Sequence, residues 1–295
     1  MIHTYPDFVT RSLMSSATIK LFLPHGDAKR LRVGEVSNWT GKALAAPRTE
    51  LDDLLLREEA ESAGVYFLFG VDPERGDALA YIGEAEVIRD RLKQHKARDF
   101  WNAVVVFVSK DENLTKAHIR YLENRLLNEA KQAGRYRLEN SNTTNPKLPE
   151  SDREDMEVFL SRIQQVLPVL GSDLLTPISG SAKSAKPQSE LWCRNKGALA
   201  RGRRTERGFV VFKESTAVLA ERPSAENQHP FVVALRKKLV KDGTLTEKDG
   251  FLVFTKDAEF DSPSAAAAVI HGGGANGLTV WKDSTGKTLK QIEEG

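Results

Sequence analysis

The sequence predicts a mixed α/β protein in which a small three-stranded antiparallel sheet flanked by helices is followed by a separate α+β domain. Three observations support this fold class. The length of 295 residues suits two domains of ordinary size. Apolar runs between residues 65 and 130 follow the order strand, strand, helix, strand, helix. A stretch rich in Gly, Ser, Pro and Lys, at 171–189, has the composition of a flexible linker.

The N-terminal residues show strand patterns and then a helical one. Residues 18–23 alternate between polar and apolar side chains, which predicts a strand. Residues 34–39 and 42–46 suit two further short strands, and 48–61 suits an amphipathic helix. We therefore divide the chain into an N-terminal extension (1–60), an α/β domain (61–148), a helix with a flexible linker (149–189) and a C-terminal domain (190–295).

The α/β domain opens with a predicted hairpin. Residues 65–69 and 78–82 are compact apolar runs, and the residues between them, Asp-Pro-Glu-Arg-Gly-Asp, favour a turn. Such a hairpin places Tyr66 and Tyr81 side by side. A helix follows from Glu86 to Gln94.

The rest of this domain supplies further polar groups. Arg91 and His95 are four residues apart and therefore share one helix face. Residues 101–108 are almost wholly apolar, which is typical of a central strand. The next predicted helix, 115–130, carries Glu123 beside its apolar stripe, and residues 152–170 form another amphipathic helix.

Composition limits the setting of the protein. Hydrophobic residues make up 40% of the chain and charged residues 28%, as in globular proteins, and no apolar run is long enough to cross a membrane. Cys193 is the single cysteine, so no intrachain disulfide forms and a cytoplasmic location is expected. We interpret Cys193 as a packing residue rather than a nucleophile.

Positive charge is concentrated in one stretch, although the net charge is only +2. Between Lys183 and Lys213 there are nine Lys or Arg residues and two Glu residues. Such a stretch suits contacts with nucleic-acid phosphates, and it equally suits a solvated linker and loop.

The motifs of the α/β domain resemble those of the GIY-YIG nuclease family over residues 63–145. Gly64-Val65-Tyr66 and Tyr81-Ile82-Gly83 are similar to the two tripeptides that name the family. Arg91 lies eight residues after Gly83, His95 four residues later, and Glu123 in the second helix, as in that family. The first tripeptide departs from the family pattern by having Val65, and Glu84 stands where small or basic residues are commoner.

The resemblance implies metal-dependent cleavage of a phosphodiester. Glu123 is expected to bind one divalent ion, Mg²⁺ or Mn²⁺, and Arg91 to hold the phosphate oxygens. Tyr66 is expected to be the general base, with its pKa lowered by nearby positive charge, while His95 accepts or positions its proton and Tyr81 orients water or phosphate. Glu84 either joins the metal site or disfavours phosphate.

The resemblance also implies an asparagine at the end of the domain. Asn140 is our choice for this residue, with Asn142 and Asn145 as alternatives.

The C-terminal domain carries its own pattern. Residues 262–270, Ser-Pro-Ser-Ala-Ala-Ala-Ala-Val-Ile, predict a capped helix, and a glycine-rich loop and Trp281 follow. Over residues 205–293 the pattern resembles a domain of unknown function appended to GIY-YIG proteins, and is similar to a domain associated with restriction enzymes and adenine methylases. The loop suits a phosphate site or a tight turn, and Trp281 suits base stacking or a core position.

The resemblance implies a DNA endonuclease with a C-terminal DNA-targeting module, acting in DNA repair, restriction or mobile-element movement. Two alternatives remain open. One is a DNA-binding protein of nuclease fold that does not cut. The other is a nuclease subunit whose C-terminal domain binds a protein partner and thereby joins a repair or defence complex.

Overall fold

The structure, a computed structural model, groups the chain into two compact units. The first comprises residues 1–176 and the second residues 177–295. Both are mixtures of strands and helices, so the protein belongs to the mixed α/β class that the sequence predicts. No helix among the described residues is long and apolar enough to cross a membrane. The described residues are 16–72, 76–140, 146–178 and 190–294.

The described part of the first unit contains one seven-stranded sheet, rather than the three strands of the prediction. The strand order is β1-β2-β3-β6-β4-β5-β7, antiparallel except for the β5–β7 pair. The three N-terminal strands join because β3 pairs with the central β6 over its whole length. The strands are β1 (Ile19–Phe22), β2 (Arg32–Val36), β3 (Gly41–Pro47), β4 (Gly64–Val71), β5 (Ala78–Ala85), β6 (Trp101–Ser109) and β7 (Arg137–Leu138).

Helices cover both faces of this sheet. One face packs against α3 and α4 through Phe67, Ile82 and Phe107. The other face packs against α1 and α2 and carries Tyr66 and Tyr81. Even- and odd-numbered residues of a strand point to opposite faces, so the two apolar layers follow from the strand period. The helices are α1 (Leu51–Leu55), α2 (Ile88–His95), α3 (Lys116–Ala133) and α4 (Glu150–Val169).

Residues 48–61 do not form the single helix that the sequence predicts. They form the short α1 between two 3₁₀ turns, at Arg48–Glu50 and Glu58–Glu61. The guanidinium of Arg89, on α2, donates to the carbonyls of Leu55 and Arg57 at 2.7 and 3.3 Å. These carbonyls therefore find their partners on another helix, and the chain turns away after Leu55.

The predicted linker begins later than its composition suggests. Leu170, Leu174 and Leu175 are buried against the α3–α4 side of the first unit. Their burial fixes the chain to this core beyond the end of α4, because apolar contact outweighs the turn-forming composition. Residues 179–189 of the predicted linker lie outside the described residues.

The second unit contains two small sheets and several helices in its described part. One sheet has the order β14-β10-β9-β8 and the other β11-β13-β12. Helix α7 supplies a buried face of Ala266, Ala267 and Ile270 to the core between them. The elements are β8 (Leu191–Asn195), β9 (Ala198–Thr205), β10 (Gly208–Val211), β11 (Thr216–Val218), α5 (Ala225–Gln228), α6 (Pro230–Lys241), β12 (Leu245–Lys248), β13 (Phe251–Phe254), β14 (Ala258–Phe260), α7 (Pro263–His271), α8 (Gly277–Val280) and α9 (Leu289–Glu294).

Candidate active site

Tyr66 is the centre of a polar cluster on the α2 side of the first sheet. Its hydroxyl shares a hydrogen bond of 2.8 Å with Nε2 of His95 and accepts one of 3.2 Å from Nε of Arg91. The Tyr66 and Tyr81 rings stack with centroids 6.0 Å apart. The structure therefore brings together four of the predicted site residues: Tyr66, Tyr81, Arg91 and His95.

The register of the β4–β5 hairpin makes this cluster possible. Tyr66 lies opposite Gly83, and Leu68 lies opposite Tyr81. The two tyrosines are thus diagonal neighbours on one face rather than a directly opposed pair. A Cβ atom on Gly83 would lie 2.5 Å from Cζ of Tyr66 and closer still to its hydroxyl oxygen. The glycine is required here because the phenol fills the space where a side chain would be.

His95 is fixed by two neighbours besides Tyr66. Its ring lies 4.9 Å from the ring of Tyr81, and its carbonyl accepts a 3.0 Å hydrogen bond from the indole of Trp101. Burial, together with the charges of Arg91 and Arg98, lowers the pKa of His95 to about 4. The imidazole is therefore neutral near pH 7. Among the described residues, its buried Nδ1 atom has no hydrogen-bond partner.

The pKa of Tyr66 differs from the expectation. Burial, with the neighbouring Tyr81, raises it well above the ordinary tyrosine value, and the opposing effect of Arg91 is smaller. The side chain is fully buried, so the cost of placing a charge there outweighs the attraction of one guanidinium. In the unliganded protein Tyr66 is a neutral phenol.

Glu123 lies on α3, beyond the opposite face of the sheet from Tyr66, and is half-buried. Burial and the charge of Glu84 raise its pKa to about 7, against the lowering effects of Lys116, Arg91 and Arg120. Arg91 therefore connects the tyrosine cluster with Glu123, because it donates a hydrogen bond to Tyr66 and its charge also lowers the pKa of Glu123.

Glu84 lies near Glu123 and forms ion pairs with two cations of α3. Its carboxylate lies 2.9 Å from Nζ of Lys116 and 3.9 Å from Nε of Arg120. These two cations lie outside the motifs that resemble the nuclease family. Their spacing contained the signal, because Lys116, Arg120 and Glu123 are separated by four and three residues and so share one helix face.

A cleft of about 380 Å³ is lined both by Arg91 of the tyrosine cluster and by the ion pair of Glu84 with Lys116. Glu84, Arg91, Gln94 and Lys116 are part of its lining. Lys116 is already paired with Glu84 and, at 3.5 Å, with Glu86. Arg91 forms no ion pair among the described residues, so it is the cation of the lining that can meet a phosphate. Glu86 and Asp90 also line the cleft, so its carboxylates outnumber its cations. Such a lining suits a divalent cation, which would attract a phosphate to the side of Arg91.

Asn140 has a different position from the other predicted residues. Its amide nitrogen donates to the carbonyl of Ile82 at 2.6 Å, and its amide oxygen accepts from the Ile82 N–H at 3.2 Å. Both polar ends of the side chain thus hold the backbone of β5 between Tyr81 and Gly83. The alternatives Asn142 and Asn145 lie outside the described residues.

A second cluster contains side chains of the types that bind metal ions, but ion pairs and hydrogen bonds explain its arrangement. His25, Glu50 and Asp53 bring their ligand atoms within 4.8 Å of one another. Arg30 pairs with Glu50 and lies 3.9 Å from Asp53, and the Leu31 N–H donates to Glu50 at 2.7 Å. These contacts account for the carboxylates as an ion-pair cluster.

Three residues of the second unit can be compared with what the sequence predicts for them. Trp281 is fully buried against Phe209 and donates to the carbonyl of Pro263, so it is a core residue. Gly272 ends α7 in the left-handed conformation, which makes the start of the glycine-rich loop a helix cap. Burial raises the pKa of Cys193 to about 12, so its thiol is not a ready nucleophile.

Comparison with known proteins gives one match. Residues 191–293 match a family described as "Domain of unknown function (DUF4357)". The match spans about a third of the chain and begins earlier than the resemblance noted above, which starts at residue 205. No curated protein and no solved structure matches the chain. The chain is thus similar over its second unit to that family of domains.

Proposed function

We propose that the first unit is a divalent-metal-dependent endonuclease that hydrolyses DNA phosphodiester bonds, and that the second unit targets it to DNA. The observation that carries this proposal is the Tyr66 hydroxyl, held between Arg91 and His95 in space left by Gly83. DNA, rather than RNA, is taken from the resemblance to GIY-YIG nucleases.

The carboxylates of the first unit fit a divalent ion. Glu84 and Glu123 are close enough that the charge of one raises the pKa of the other. Carboxylate oxygens are the donors that Mg²⁺ and Mn²⁺ prefer, and a cation between two such groups would relieve their repulsion. When bound, the ion supplies charge neutralisation at the scissile phosphate and at the leaving 3′ oxygen.

Arg91 binds and orients the substrate in this scheme. Nε is committed to Tyr66, and one terminal nitrogen donates to Gln94 at 2.9 Å. The guanidinium lines the cleft, so its remaining N–H groups can contact the nonbridging phosphate oxygens. Lys116 lines the same cleft, where its ion pairs with Glu84 and Glu86 compensate its charge until a metal ion or the substrate displaces them.

Tyr66 orients the attacking water and accepts its proton. The phenol proton first leaves along the hydrogen bond to Nε2 of the neutral His95 and from there to solvent. Arg91 donates to the same oxygen and stabilises the phenolate that remains. Because burial raises the pKa of Tyr66, the phenolate is a rare but strong base. Cleavage should therefore accelerate as the pH rises.

One observation favours the alternative of a DNA-binding protein that does not cut. Tyr66 is fully buried, and Tyr81, which is 9% exposed, stacks on it. In this alternative the cluster stabilises the hairpin, and Arg91 and Lys116 bind phosphates without chemistry.

A plasmid assay separates the two functions. Supercoiled plasmid, with and without base modification, is incubated with Mg²⁺ or Mn²⁺ and either the wild-type protein or Glu123→Ala. Nicking or linearisation by the wild type alone supports the endonuclease. Equal cutting by Glu123→Ala would refute the role of Glu123, and binding without cutting by the wild type would support the alternative. A Glu129→Ala variant, on the same helix, serves as the control.

A further inference from the structure

The sheet β14-β10-β9-β8 of the second unit has a partly exposed face that carries an aromatic ring and several cations. Along β8, Leu191 and Cys193 are buried in the core, while Trp192 and Arg194 point the other way. Along β9, Ala200 is buried and its neighbour Arg201 is exposed. The strand period of two therefore sorts the apolar side chains inward and these polar and aromatic ones outward.

Three segments of chain align on this face. Trp192 lies directly opposite Arg201 in the β8–β9 pair. On its other side, Trp192 exchanges two backbone hydrogen bonds with Lys282, of 2.8 and 3.0 Å. Directly opposed residues of antiparallel segments share a face, so the order across the face is cation, indole, cation.

A cleft of about 460 Å³ opens beside this row. Its lining includes Trp192, Arg194 and Lys282, together with Asp283, Ser284 and Gly286 of the following loop. A volume of this size accommodates a nucleotide.

The charge of the cleft is positive. Within the described ranges, Arg194 and Lys282 form no ion pair, whereas Arg201 pairs with Glu190 at 3.4 Å. Asp283 is the acidic residue of the lining, and its carboxylate accepts hydrogen bonds from the N–H groups of Thr285 and Lys287 at 2.8 and 3.0 Å. Its charge is therefore partly compensated by its own loop.

We propose that this cleft binds single-stranded DNA, with a base stacked on Trp192 and the flanking phosphates on Arg194 and Lys282. A partly exposed indole between cations is suited to a ligand that alternates flat apolar groups with negative charges, and a nucleic-acid strand has this chemistry. The choice of DNA rests on the proposed function of the first unit. Trp281, the other tryptophan of this unit, is buried and unavailable for stacking.

Binding by the full-length protein tests the inference without requiring cleavage. Fluorescein-labelled oligo(dT), the corresponding duplex and oligo(U) are titrated in EDTA, and anisotropy gives the dissociation constants. Trp192→Ala is expected to weaken oligo(dT) binding about tenfold. Arg194→Ala with Lys282→Ala is expected to lower the slope of log affinity against log salt by about 1.4. Lys248→Ala, an exposed cation on β12, is the matched control and should leave both quantities unchanged.

The outcomes separate this inference from the proposed function. Normal oligo(dT) binding by Trp192→Ala and by the double variant, with plasmid cutting intact, would overturn the inference alone. Tighter binding of oligo(U) or of duplex DNA than of oligo(dT) would also overturn it. Loss of oligo(dT) binding in both variants, with thermal unfolding unchanged, would support it even if the wild-type protein cuts no plasmid.

Discussion

Gly83→Ala is the substitution that most directly tests the geometry of the tyrosine cluster. The added Cβ atom would lie 2.5 Å from Cζ of Tyr66 and 2.8 Å from Cε1 of Tyr81. Neither distance is sterically acceptable, so Tyr66 must move away from Arg91 and His95, or β5 must shift. Gly83 has an ordinary strand conformation, so the effect comes from space and not from the backbone dihedral.

The expected loss of stability follows from this crowding. Overfilling a packed core costs about 1–3 kcal/mol. Replacing glycine by alanine where the backbone tolerates it instead stabilises by about 0.4–1 kcal/mol, because the unfolded chain loses freedom. Gly34→Ala, in β2 of the same sheet, is a matched control, since its Cβ would make ordinary contacts of 3.6–3.8 Å with Val166, Leu170 and Ala43. The two variants should therefore differ by about 2–3 kcal/mol in the free energy of unfolding.

Urea unfolding followed by circular dichroism measures this difference, and the plasmid assay measures its effect on cleavage. Gly83→Ala should be both less stable and inactive, while Gly34→Ala retains activity. Adding Tyr66→Phe to Gly83→Ala should recover part of the stability, because the hydroxyl lies closest to the new atom, but no activity. If Gly83→Ala were as stable and as active as Gly34→Ala, the conclusion that the ring of Tyr66 fills the space beside Gly83 would be refuted.

Three further predictions concern individual groups. Glu123→Gln should abolish cleavage yet raise the free energy of unfolding by about 1–2 kcal/mol above pH 7, because a carboxyl group whose pKa is raised to about 7 destabilises the fold once it ionises. Urea unfolding at several pH values, without metal, measures this difference. The wild-type cleavage rate should rise about tenfold per pH unit from pH 7 to 9, because the pKa of Tyr66 lies above this range. A rate that reaches a plateau below pH 8 would exclude Tyr66 as the base. Because the pKa of His95 is about 4 in the folded protein, its contribution to stability is complete above pH 6.5 and is lost as the pH falls towards 4. The wild type should therefore lose about 2–3 kcal/mol more of its free energy of unfolding over this pH range than His95→Gln, as measured by urea unfolding at each pH.

Local elements of both units follow from sequence patterns, but longer-range pairing does not. The β4–β5 hairpin and helices α2, α3 and α4 lie where the periodicity predicts them, within a few residues. The joining of β3 to β6 depends on pairing between residues about sixty positions apart, for which neither strand carries a signal of its own. The residues 48–61 likewise carry no sign that Arg89 of α2 donates to the carbonyls of Leu55 and Arg57, where α1 ends.

The periods of the strands and helices already indicate which of the candidate site residues share a face, as Arg91 and His95 do on α2. How strongly each of these groups is shielded from water depends on the packing of the whole unit. This packing buries Tyr66 and so raises its pKa, and it sets Glu123 within the influence of Glu84.

The same division holds in the second unit, where the row across its sheet joins Trp192 to Lys282, ninety positions later in the chain. The physical reason is that burial and charge–charge energies depend on which distant segments pack together. The local pattern of a segment does not contain that information.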